Sequence, residues 1–151
     1  MPRAKTKYEP FEFELIKIGK KCGSDNDQYV FPMKIAEQLA GSIAMGKKYT
    51  VEEVSPVERQ LKKKQVFESW DEHAMADVLS ARLSHPTPDQ NSLMITCQPR
   101  SNKFGKLLMS TIESATLEGI EFYPVGIGDV DENGEVKDYT LSYIAMEAKH
   151  R

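Results

Sequence analysis

The stretch GDVDENGEV (Gly128–Val136) decides how the C-terminal third of this chain folds. Asp129, Asp131, Asn133 and Gly134 fall at the first, third, fifth and sixth places of a calcium loop. Such a loop also needs an oxygen ligand at the ninth place and a bidentate carboxylate at the twelfth. Counted from Asp129, those places hold Lys137 and Thr140. The strongest ligand is missing and a cation stands where a ligand should. By contrast, Asn133-Gly134 between two alternating segments is the strongest short hairpin signal. Both residues accept the positive φ of a type I′ turn. The stretch therefore reads as a hairpin. Asp129, Asp131 and Glu132 remain as metal candidates at its tip, with no metal or cofactor expected.

Working outward, Ile120–Val130 reads as a strand interrupted by Pro124, Gly126 and Gly128. Gly126-Ile-Gly128 is a fragment of a dinucleotide fingerprint, but no helix follows it. Its reading is a strand that bends or whose backbone is approached closely. Val136–Glu147 is the last strand, with Tyr139, Leu141, Tyr143 and Ala145 on one side. Upstream, Asn102 suits a helix N-cap. Phe104, Leu107, Leu108, Thr111, Ile112 and Ala115 then form an amphipathic stripe that Gly119 closes.

The N-terminal half opens with a half-buried strand, FEFELIKI (Phe11–Ile18), and a polar loop from Gly19 to Gln28. Pro32 begins a helix whose apolar stripe is Ile35, Ala36, Leu39, Ala40 and Ile43, with Gly46 as its stop. Ser55-Pro-Val-Glu58 has the form of a capping box, so a helix is expected over 55–66. From Ala74 the period becomes two, with Val78, Ser80 and Arg82 set against Leu79, Ala81 and Leu83. SHPTPDQN (Ser84–Asn91) reads as a Pro-stiffened loop, and Leu93–Cys97 as the returning strand. The expected fold is α+β, a mainly antiparallel sheet that can curl toward a barrel, with two or three packed helices. A basic tail, residues 1–8, precedes a single domain, 9–151.

Composition sets bounds on function. The chain has 151 residues, 40% hydrophobic and 28% charged, which fits one globular core. A net charge of −3 argues against a dedicated nucleic-acid binder. Basic residues do gather in the tail (Arg3, Lys5, Lys7) and at Lys62–Lys64. Only Tyr8, Phe67 and Trp70 stand near them for base stacking. Cys22 and Cys97 lie far apart and suggest free thiols in a reducing compartment. No apolar run approaches a membrane span. A cytoplasmic protein is expected.

No CxxC pair, HExxH motif or phosphate-binding loop occurs. His150 is terminal. His85 precedes Pro86 in the loop. His73 lies in SWDEH (Ser69–His73), beside carboxylates at a strand mouth, where a histidine can act as a base or a ligand. Ser110 and Ser114 read as surface hydroxyls on a helix. Cys97 reads as a small buried hydrophobe.

The order of segments resembles the capsid-maturation (prohead) proteases of tailed phages, related in fold to herpesvirus assemblins. Four stretches carry the likeness: DNDQYVFP (Asp25–Pro32) with the helix to Ser42; His73 and the hairpin after it; KFGKLLM (Lys103–Met109); and YPVGIG (Tyr123–Gly128) with YTLSYI (Tyr139–Ile144). The resemblance implies a catalytic histidine at His73. Leu83-Ser-His85-Pro86 also imitates the family's local form, though topology favours His73. It implies a nucleophilic serine before the Gly-x-Gly bend. Here those places hold Tyr123, Pro124 and Val125, and neither a phenol nor a proline supplies an alkyl hydroxyl.

The leading expectation is therefore a phage-encoded, non-enzymatic protein with a degenerate protease-like fold. It acts through contacts with a phage head protein or a host factor, in the host cytoplasm or within the virion. A hydrolase using His73 or His85 with Ser80, Ser84 or Cys97 is the alternative. A nucleic-acid-associated factor is another. Homo-oligomerisation stays open.

Overall fold

The computed structural model describes residues 8–24, 27–53, 74–87, 90–115 and 119–148. The elements are β1 (Phe11–Ile18), β2 (Lys21–Ser24), β3 (Asp27–Val30), α1 (Met33–Ala44), β4 (Thr50–Glu53), β5 (Ala76–Thr87), β6 (Gln90–Pro99), α2 (Lys103–Ala115), β7 (Ile120–Val130) and β8 (Val136–Ala148). Six strands make one sheet in the order β1-β6-β5-β4-β8-β7, and β2-β3 is a separate hairpin. Every pair is antiparallel except β4 with β8. The sheet curls until its two edges meet, with Phe13 of β1 stacked on Phe122 of β7 at 3.9 Å between ring centroids. The result is an α+β half-barrel.

Phase slips in the apolar pattern are absorbed by bulges. In β8 the register with β7 shifts between Leu141 and Tyr143, so Tyr139 and Leu141 join the main core while Tyr143 and Ala145 pack in a separate cluster, which corrects the single side expected for all four. In β1, Phe11 and Phe13 alternate cleanly, but Leu15 and Ile16 are consecutive and both buried. The register with β6 shifts between Glu14 and Ile16, so the extra residue bulges and the alternation resumes. In β5 the register shifts between Val78 and Ser80. Val78 thereby joins Ala81 and Leu83 on the inner face, and Ser80 and Arg82 stay outside. This corrects the uniform alternation expected there, and it leaves Leu79 half exposed at 52%.

Helix α1 packs its stripe of Ile35, Ala36, Leu39 and Ile43 into the concave face of the sheet. Each such leucine or isoleucine stabilises the fold by about 1.5–3 kcal/mol on burial. Gly46 ends the helix as expected. It adopts φ +102, and its N–H donates to Ile43 O while Lys47 N–H donates to Ser42 O, each at 3.0 Å. That pair of bonds is a Schellman cap. Asn102 caps α2 through Oδ1, which accepts from Gly105 N–H at 2.8 Å. Leu108 is the fully buried anchor of α2, and Leu107 is turned outward.

Three further expectations are corrected, and one strand appears where no element was expected. The loop from Gly19 to Gln28 contains the β2–β3 hairpin. The loop over 84–91 is mostly strand, because β5 runs to Thr87 and pairs with Gln90. Thr50–Glu53, a four-residue stretch with little pattern, is an internal strand whose position the sheet dictates. The β7–β8 turn spans three residues, Glu132–Gly134, rather than two. Asp131 N–H donates to Glu135 O, Gly134 N–H donates to Asp131 O, and Gly134 adopts φ +83. Two helices lie among the described residues. The helix expected over 55–66 lies outside them.

Candidate functional site

Among the described residues the catalytic candidates are placed apart. His73 lies outside the described residues, as do Lys62–Lys64. His85 is exposed near the tip of the β5–β6 hairpin, with Nδ1 against Asn91 Oδ1. Ser84 precedes it, opposite Ser92, where the β5–β6 register turns irregular. Ser80 shares the outer face with Arg82 and Ser84, opposite Thr96. Cys97 sits six strand positions from Asn91, about 20 Å at the usual rise. Its thiol is fully buried and pushed up to about 12 by burial and by the Asp77 carboxylate. A thiol so held stays protonated at neutral pH.

The outer face of β1-β6-β5 is polar and internally paired. Arg82 grips Glu12 through Nε and Nη2, both at 2.7 Å. The hydrogen bond to that guanidinium holds the Glu12 carboxyl below its usual value. Ser92 donates to Glu14, and Arg100 forks onto Asp77 at 3.0 and 2.7 Å. These groups satisfy one another.

Tyr123, Pro124 and Val125, the places where the resemblance calls for a serine, belong to β7. Tyr123 and Val125 pack with Tyr143 and Ala145 in a small cluster separate from the main core. Pro124 sits opposite Ile144, and β7 is an edge strand, where a missing N–H is tolerated. Beside this cluster lies a group that sequence reading missed. Glu52 is buried at 7%, opposite Ala145, and accepts from Thr50 Oγ1 at 2.8 Å. The Thr-Val-Glu alternation was its only signal.

Beyond the cluster, β7 and β8 continue as a ribbon. A Cβ at Gly126 would lie 2.1 Å from Thr140 O, and one at Gly128 would lie 2.1 Å from Asp138 O. The Gly-x-Gly stretch is thus a site of close backbone approach. Ile127 and Val130 are each 50% exposed. β7 ends the sheet, and among the described residues nothing hydrogen-bonds to the outer edge of 126–130. Asp129 stands directly opposite Asp138, a like-charge pair that costs stability. From Asp129 to Asp138 the ribbon carries five carboxylates and one lysine. No Lys or Arg among the described residues forms an ion pair with them. Of the three metal candidates, Asp131 is engaged in the turn. Its Oδ1 accepts from Asn133 N–H at 2.8 Å and Glu135 N–H at 3.0 Å. Asp129 and Glu132 are exposed, and no group of three possible ligands gathers among the described residues.

No protein-family model, curated protein or solved structure matches the chain. No helix among the described residues is long and apolar enough to cross a membrane.

Proposed function

We propose that this chain is a non-catalytic binding protein of a tailed phage. On this reading it has the architecture of a capsid-maturation protease and works through protein contacts in head assembly or on a host factor. The carrying observation is the state of β7. Where the resemblance calls for a nucleophile, the strand holds Tyr123, Pro124 and Val125, of which the tyrosine and valine pack in a cluster. Where the strand runs on, it offers an edge that is unpaired among the described residues, with Ile127 and Val130 exposed. An unpaired edge with apolar side chains is a template for an added strand.

A photo-crosslinking residue at Ile127, compared with one at Ser80 on the paired polar face, tests this reading in host cells. A discrete protein adduct from position 127 alone is expected. No adduct at Ile127, together with labelling of the protein by a fluorophosphonate probe, would replace the reading with a hydrolase.

A further inference from the structure

We infer that the open edge of β7, residues 126–130, accepts the basic tail of a second copy of this chain as an added strand. This rests on the protein-contact reading above and names the partner.

Three observations carry it. The first is the edge itself, whose outer backbone has no partner among the described residues, with Ile127 and Val130 half exposed. An extended segment laid there gains main-chain hydrogen bonds and an apolar contact. The second is charge. Asp129 and Asp138 face each other across the ribbon without a cation between them, and Asp131, Glu132 and Glu135 surround them. A docked strand is favoured if it brings cations to that face. The third is the tail sequence, PRAKTK (Pro2–Lys7), in which Arg3, Lys5 and Lys7 recur every second residue. In an extended strand such residues share one face. The chain therefore encodes a segment whose cations would share one face toward the acidic end of the ribbon at Asp129 and Asp138.

Geometry favours an intermolecular contact. β1 and β7 run parallel across the seam, as the pairing from β1 through β6, β5, β4 and β8 to β7 requires. Phe13 and Phe122 are level, because their rings stack. Tyr8 precedes Phe13 and is held at that end by Gln98 Nε2, which donates to its carbonyl at 2.6 Å. Asp129 follows Phe122 toward the other end. At the strand rise, Tyr8 and Asp129 are about 40 Å apart. From Tyr8 the chain to Arg3 spans at most roughly 17 Å. That is shorter than the extended-strand separation, so the layout favours a neighbour's ribbon over the chain's own. The contact joins two different surfaces, so it closes as a reciprocal exchange of tails in a twofold dimer or continues as a ring or filament.

The test is sedimentation of the full chain over a range of concentrations at low and high salt. The wild type is expected to self-associate, and less so in salt, because exposed charge pairs are screened. Two variants reverse one side each: Arg3→Glu/Lys5→Glu/Lys7→Glu, and Asp129→Lys/Asp138→Lys. Each alone is expected to weaken association by about tenfold or more, since several attractive charge pairs become repulsive. Mixed together they are expected to associate again, because each now offers the complement of the other. Circular dichroism confirms that both remain folded. A wild type that stays monomeric overturns the inference, and so do charge-reversed variants that associate as well as it does. If the chain is monomeric yet Ile127 crosslinks a different protein, self-docking falls and the protein-contact reading survives.

Discussion

Replacing Gly126 by alanine puts a methyl group where the facing strand already is. The added Cβ would lie 2.1 Å from Thr140 O and 3.0 Å from Leu141 Cα. A carbon and an oxygen need about 3.2 Å, so the strands must separate locally by about 1 Å. That stretches a neighbouring N···O of about 2.9 Å toward 4 Å, outside hydrogen-bonding range. One or two cross-strand bonds are lost, each worth about 1 kcal/mol net. The lower backbone entropy of alanine offsets about 0.5–1 kcal/mol. With the overpacking itself, the net loss is about 1–3 kcal/mol. For a chain of this size that lowers Tm by roughly 3–10 °C. Gly41→Ala is the internal control. Gly41 lies in α1 with nothing within 4 Å of an added Cβ, so alanine there should stabilise by up to about 1 kcal/mol. Thermal unfolding followed by circular dichroism reads both variants in one assay. A Gly126→Ala protein that melts with the wild type would refute the close-approach argument. The glycine would then have to be explained by something other than Thr140.

Other predictions follow from single contacts. Gly105→Ala should destabilise despite better helix propensity, because its Cβ would lie 1.8 Å from Arg100 O; a rise in Tm would contradict this. Thr50→Val should cost about 1–3 kcal/mol in denaturant unfolding, since it removes a hydroxyl donor from the buried Glu52 carboxylate. Cys97 should resist iodoacetamide in the folded protein and react once unfolded, read by peptide mass mapping; rapid native labelling would contradict its burial and raised pKa. Arg82 holds the Glu12 carboxyl low, so its contribution is present above pH 4.5 and is lost as pH falls through the lowered value. Glu12→Gln should therefore flatten that part of the acid-unfolding curve, and an unchanged curve would count against the ion pair.

Long periodic segments were legible in the sequence. Both described helices, their Asn102 and Gly46 termini, β1 and the β7–β8 ribbon could be read from periodicity and capping. What escaped depends on tertiary context. β4 is four residues long and owes its state to its neighbours β5 and β8. The β2–β3 hairpin is rich in turn-forming residues, and Pro86 disguised the end of β5 as a loop. The bulge at Leu79 moved Val78 to the inner face, a shift invisible without a partner strand. Of the candidate site, the close approach at Gly126 and Gly128 was readable. The dispersal of Ser80, Ser84, His85 and Cys97 was not, because it depends on which face each strand turns inward. The open edge of β7 and the burial of Glu52 emerge only once strand order is known.

The account is tested most directly by amide hydrogen exchange of the full chain at two concentrations, well below and well above the onset of association. Docking on β7 predicts that the amides of 126–130 slow in the concentrated sample, while those of the α1 core do not change. Equal exchange along β7 at both concentrations, with new protection on the Ser80–Arg82 face instead, would contradict it.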